Sequence, residues 1–156
     1  MGKYWKLVSA IVISELAGGI GAVFTTSKIP TWYATLNQPS WNPPAGVFGP
    51  VWTILYALMG VSLWLVWESK ASQDRSATLH LFGWQLAVNV LWSIVFFGLE
   101  NPGLAVAVIL VLLSLIVAYI VRVWRVSHAA ALVMVPYAAW VSFAAVLNAV
   151  VWQLNP

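Results

Sequence analysis

Glu15 is the only carboxylate set inside an apolar run, LVSAIVISELAGGIGAVFTT, nine positions after Lys6. A helix rises 1.5 Å per residue, so the side chain lies about 13 Å along, near the middle of a bilayer. A carboxylate at that depth either carries protons or stays protonated against a neighbouring helix. The other reactive resource is indole. Gln85, Asn89, Trp92 and Phe96 recur at i, i+4, i+7 and i+11, which puts two amides and two aromatics on one helix face. Tyr137, Trp140, Ala144 and Asn148 form a second such stripe, and Trp52, Tyr56, Met59 and Leu63 a third. Taken singly, such residues are interhelical hydrogen bonds and core filling. Taken together, they are walls for a flat apolar molecule whose polar edge an indole N–H or an amide orients.

Other chemistry is argued against. The chain has no cysteine, which excludes disulfides, thiolate metal sites and cysteine nucleophiles. His80 and His128 lie far apart without an acidic cluster, so no metal site is expected. Glu68, Asp74 and Glu100 fall at span ends, which leaves Glu15 without a carboxylate partner for paired acid–base work. No phosphate loop, zinc-protease motif or serine elbow is present. Any covalent chemistry must come from tryptophan or from the bound molecule.

The elements that position these residues follow from composition. Of 156 residues 62% are hydrophobic and 7% charged, against about 25% charged in a soluble domain. Five apolar runs, 7–26, 47–67, 77–99, 102–121 and 129–152, are each about the length a spanning helix needs. They predict an all-α integral membrane protein, a five-transmembrane-helix bundle forming one domain over 1–156. The first run lacks a small-residue cleavage site and reads as a retained span. The net charge of +3 is scattered over span ends, which indicates topology signals and no nucleic-acid site. Lys3, Lys6, Lys70, Arg75, Arg122 and Arg125 share one face and Lys28 alone lies on the other, so the N-terminus is expected in the cytoplasm.

The 28–46 connection is too long for a simple loop and reads as a lid. Thr31 is expected to N-cap a short helix through Leu36, and Pro39, Pro43 and Pro44 to keep the rest extended. Glu15, Gly18, Gly19 and Ala22 share a face whose small residues allow close backbone approach. Pro136 is expected to kink the fifth span beside Tyr137 and Trp140. The aliphatic fourth span is expected to face lipid or a second copy.

Three stretches in order, WYATLNQPSWNPPAGVFGPVWTILYALMG, QLAVNVLWSIVFFG and PYAAWVSFAAVLN, make the whole chain resemble the translocator protein family, also called tryptophan-rich sensory proteins or peripheral benzodiazepine receptors. The resemblance implies a five-helix membrane bundle, often a homodimer, that binds porphyrins such as protoporphyrin IX or a haem-like tetrapyrrole, and also benzodiazepine-type ligands. No obligatory cofactor is implied. Carried over to this chain, the ligand pocket would be closed by the first loop and lined by Tyr33, Phe48, Gly49, Val51, Trp52, Asn89, Trp92, Trp140, Ala144 and Leu147. The resemblance also implicates Trp52 and Trp140 in oxidative, light-driven porphyrin breakdown, the enzymatic alternative to a receptor or carrier. A small proton-coupled exporter using Glu15 is a further alternative. Animal members end their fifth helix in a Tyr–Arg cholesterol pattern; VLNAVVWQLNP has neither residue, which argues against cholesterol and for a prokaryotic cell-membrane member.

Overall fold

The computed structural model describes residues 2–70 and 72–156; the side chain of Lys3, one of the expected topology signals, lies outside the described set. Among the described residues six α-helices form the bundle: α1 (Lys3–Thr25), α2 (Ala45–Glu68), α3 (Gln73–Ser93), α4 (Pro102–Trp124), α5 (His128–Leu132) and α6 (Val135–Leu154). A π-helical turn, Ile94–Gly98, continues α3, and α5 with α6 makes one broken span, so five apolar segments are long enough to cross a membrane. The expected spans are all present, with most ends extended by a few residues.

Side chains set several starts. Ser72 accepts from the Arg75 N–H, Asn101 from the Leu104 N–H and Ser127 from the Ala130 N–H, each capping a helix whose first amides have no partner in the preceding turn. Pro102 and Pro136 lie in the first turn of α4 and α6, where a missing N–H leaves no bond unmade. The expected break near Pro136 is therefore a new helix start after Val133 and Met134. Thr31 is not an N-cap: Ile29–Tyr33 is a π-turn entered from Lys28, and the Thr31 hydroxyl donates back to the Ser27 carbonyl at 2.6 Å.

Packing follows the small and polar residues more than the aliphatic ones. Lipid tails are as apolar as leucine, so close fit and hydrogen bonds hold spanning helices together. An added Cβ at Gly60 of α2 would lie 2.5 Å from the Ile11 Cα, so α1 and α2 touch backbone to backbone there. At Gly18 the same atom would lie 2.6 Å from the Tyr56 ring, whereas at Gly19 it would meet nothing within 4 Å. Close approach thus uses Gly18 but not its neighbour, and the tightest contact comes from a glycine on the facing helix. The Tyr119 hydroxyl, 2.8 Å from Ser62 Oγ, and Ser62 Oγ, donating at 2.8 Å to the Ala130 carbonyl, link α4, α2 and α5.

The fourth span differs from its expectation on one side. Ile109, Leu112, Ile116, Tyr119 and Val123 are buried against α3, α5 and α6, while Leu104, Leu110, Val111, Val117 and Val121 are exposed. A uniformly aliphatic helix carries no periodic signal to say which side is packed. The ion pairs Lys6–Glu68 and Asp74–Arg122 lie at one end of the bundle and Lys28–Glu100 at the other.

Candidate functional site

The three aromatic stripes divide along their length. Toward the charged N-terminal end they close on one another. The Tyr56 hydroxyl donates to Asn89 Oδ1 at 2.6 Å, Asn89 Nδ2 donates to the Tyr137 hydroxyl at 2.7 Å, and Tyr137 donates to Gln85 Oε1 at 3.0 Å. Gln85 Nε2 reaches Met59 Sδ at 3.7 Å. This buried chain joins α2, α3 and α6, each bond worth about 1 kcal/mol in a membrane interior. Met59, Leu63 and Gln85 are core residues.

Toward the lid the same stripes separate around a cavity of about 350 Å³, a size typical of small-molecule sites. Of the residues named for the pocket, Tyr33, Phe48, Gly49, Trp52, Asn89, Trp92, Trp140, Ala144 and Leu147 line it. Val51 does not. On α2 the lining positions are 48, 49, 52, 53 and 56, and position 51 falls on the adjacent face, where Val51 packs half-buried against the core. Glu15 also lines the cavity and is its only charged side chain among the described residues.

The walls are aromatic and held at edge or tilted angles. Phe48 meets Trp140 at 6.3 Å between ring centroids, Trp140 meets Phe143 at 5.4 Å, and Trp52 meets Tyr56 at 5.7 Å. The polar groups fall into two sets. Trp92 Nε1 donates to Asn148 Oδ1 at 3.0 Å, and Asn148 Nδ2 donates to the Pro102 carbonyl at 2.8 Å, so both side chains are engaged. The indole N–H groups of Trp52 and Trp140 donate to no acceptor among the described residues, and Asn89 Nδ2 has a second hydrogen beyond the one given to Tyr137.

Two aromatic lining residues escaped the sequence reading for different reasons. Phe143 lies three positions after Trp140, a helical spacing that was available. Phe97 directly follows Phe96, and the wide π-turn is what buries both rings, 4.7 Å apart. A 3.6-residue period places consecutive residues about 100° apart, so nothing in the sequence predicts that pair.

The lid is a built structure. The Tyr33 hydroxyl donates to Asn42 Oδ1 at 2.8 Å, Asn42 Nδ2 to Gln38 Oε1 at 2.8 Å, and Gln38 Nε2 to the Tyr33 carbonyl at 2.6 Å. Burial pushes the Tyr33 hydroxyl up to about 12, the bond to Asn42 pulling the other way, so it stays a neutral donor at physiological pH. Trp32 packs edge-on against Phe96 at 5.7 Å, and Trp41 against Phe143 at 5.8 Å. The Asn37 backbone N–H donates to Asn155 Oδ1 and Asn155 Nδ2 returns a bond to the Asn37 carbonyl, both at 2.9 Å, which ties the lid to the chain's end. Lys28 pairs with Glu100 at 2.5 Å. Glu100 holds a left-handed backbone, φ 51°, at the turn into α4, a conformation that favours glycine.

The family model described as TspO/MBR family matches residues 10–153. A tryptophan-rich protein TspO of Archaeoglobus fulgidus is 39% identical over 150 residues, covering 96% of this chain and 97% of the relative. A protein of the same name from Chlorobaculum tepidum is 41% identical over 151 residues, 96% of each chain. The translocator protein of Homo sapiens is 38% identical over 138 residues, covering 87% of this chain and 82% of the human one.

Proposed function

The chain belongs to the TspO/MBR family, and from that premise we propose that it is a membrane receptor or carrier for porphyrins and related hydrophobic tetrapyrroles, held in the cavity beneath the lid. The observation that carries this reading is the cavity's lining: flat aromatic walls from α2, α3 and α6, with the indole N–H groups of Trp52 and Trp140 uncommitted inside an apolar space. A planar macrocycle gains stacking from such walls, and its polar edge gains a hydrogen bond from an indole N–H. Protoporphyrin IX added to the protein in vesicles is expected to quench tryptophan fluorescence saturably at micromolar concentration. Quenching no greater than that of free tryptophan in the same vesicles would overturn the reading.

Glu15 favours a second reading, a small proton-coupled exporter. Among the described residues it is the one carboxylic acid lining the cavity, at mid-membrane depth, where exchange of a proton for a ligand can be coupled. In proteoliposomes, porphyrin flux that rises with an imposed pH gradient and loses that dependence in Glu15→Gln supports it. Flux indifferent to the gradient in the original chain removes it, and leaves binding untouched.

A further inference from the structure

We propose that the ligand enters and leaves the cavity sideways from the lipid, through a gap between α1 and α2 on the lid side of the Gly18–Tyr56 contact. The inference rests on the binding reading above and adds to it the route and the phase from which ligand is drawn.

Three observations converge. First, the cavity wall is built of small residues on this side. Gly19, Ala22 and Thr26 of the first helix and its exit turn, and Gly49 and Thr53 of α2, line the cavity and are exposed, and their neighbours Ile20, Val23 and Ile54 are exposed as well. The two helices are in contact at Gly60–Ile11 and at Gly18–Tyr56, but an added Cβ at Gly19 or at Gly49 would meet nothing within 4 Å. They part where the cavity begins.

Second, the rim suits lipid. Its hydroxyls are turned inward onto their own helices: Thr25 donates to the Gly21 carbonyl at 2.9 Å, Thr26 to Ala22 at 2.8 Å and Thr53 to Gly49 at 3.1 Å. A polar group facing hydrocarbon without a partner is strongly unfavourable, and this rim shows methyl groups and glycine faces instead. The bordering residues Ile20, Val23 and Ile54 are exposed and apolar.

Third, the lid side is fastened. The lid carries the Tyr33–Asn42–Gln38 ring of hydrogen bonds, the reciprocal Asn37–Asn155 pair and the Lys28–Glu100 ion pair, and its Trp32 and Trp41 pack on Phe96 and Phe143. Opening it breaks several bonds together; passage between α1 and α2 breaks none of them. A hydrophobic planar molecule is concentrated in the bilayer by partitioning, so the lateral route also meets it at the higher concentration.

The absence of cysteine lets one introduced thiol report alone. Ala22→Cys is reconstituted in vesicles and then alkylated with a bulky lipid-soluble maleimide, so that folding is complete before the gap is obstructed. Protoporphyrin IX is delivered from donor vesicles, and the rate and end-point of tryptophan quenching are recorded. Labelling is expected to slow the approach to the end-point about tenfold relative to the same unlabelled protein, a gating effect on the rate. Thr53→Phe, which obstructs the gap from the other helix without a label, is expected to slow it in the same sense. Asn155→Ala, which unties the lid, tests the other route. Equal rates with and without label, together with faster quenching in Asn155→Ala, overturn the lateral gap in favour of the lid. A label that lowers the end-point without slowing the approach fills the cavity and also overturns it. No quenching in the unmodified chain removes the binding reading itself, a result distinct from both.

Discussion

Replacing Gly60 by alanine is expected to destabilise the bundle by about 3 kcal/mol, the upper range for forcing an extra methyl into packed structure, because it is the glycine whose added Cβ would strike backbone. The new Cβ would lie 2.5 Å from the Ile11 Cα and 2.8 Å from the Ile11 N, and backbone atoms cannot rotate aside as a side-chain tip can. α1 must move off α2. Gly19→Ala provides the contrast, since its Cβ meets nothing within 4 Å; a change within about 0.5 kcal/mol is expected there. Thermal unfolding of both variants in the same detergent measures the difference. Equal stability would mean that the two helices are not in contact at Gly60. The same crossing holds the lower ends of α1 and α2 together while their lid-side halves part, so a shifted Gly60→Ala bundle is also expected to change porphyrin exchange rates.

The second large effect concerns the two uncommitted indoles. Trp52→Ala with Trp140→Ala is expected to weaken protoporphyrin binding roughly a hundredfold, because buried aromatic anchors dominate binding energies and each tenfold is about 1.4 kcal/mol. Titration followed by absorbance at the porphyrin band checks this without relying on tryptophan emission. Trp52→Phe with Trp140→Phe keeps a stacking face and loses the N–H, so a smaller loss of roughly tenfold is expected. Affinity unchanged in the alanine pair would place the ligand elsewhere. The phenylalanine pair also decides the enzymatic alternative. If it bleaches bound porphyrin in light at the rate of the original chain, with a protein-free control subtracted, the indoles do not drive the breakdown.

Stripe periodicity located the cavity residues only in part. On α3 one continuous face runs from Gln85 to Phe96, yet Gln85 is buried in the hydrogen-bond chain while Trp92 and Phe96 line the cavity. Spacing along a helix says which residues share a face. It does not say how far away the facing helix is at each level. On α1 the same limit applied: Gly18 receives the Tyr56 ring, while Gly19 on the same expected face meets nothing within 4 Å. Val51 was assigned by resemblance alone, and no helical period supported it.

The lid shows the complementary case. Its length announced a lid, and Pro39, Pro43 and Pro44 an extended stretch after a short helix, but its closure depends on Asn155, 118 positions from Asn37, and on Glu100, 72 positions from Lys28. Neither partner belongs to any local pattern. Likewise Phe97 owes its inward direction to a π-turn whose extra residue per turn leaves no mark on a 3.6-residue period.

By itself the sequence determined that there are five spans, roughly where each begins and ends, and which faces carry aromatic and amide groups. These are local properties: transfer of a run of about 20 residues into lipid is nearly a sum over its side chains, and a helix repeats regardless of its neighbours. Tertiary structure alone decided where those faces meet and where they part. The hydrogen-bonded core, the cavity, the fastened lid and the gap between α1 and α2 all depend on distances between helices, set by contacts such as Gly60 against Ile11 that link residues remote in the chain.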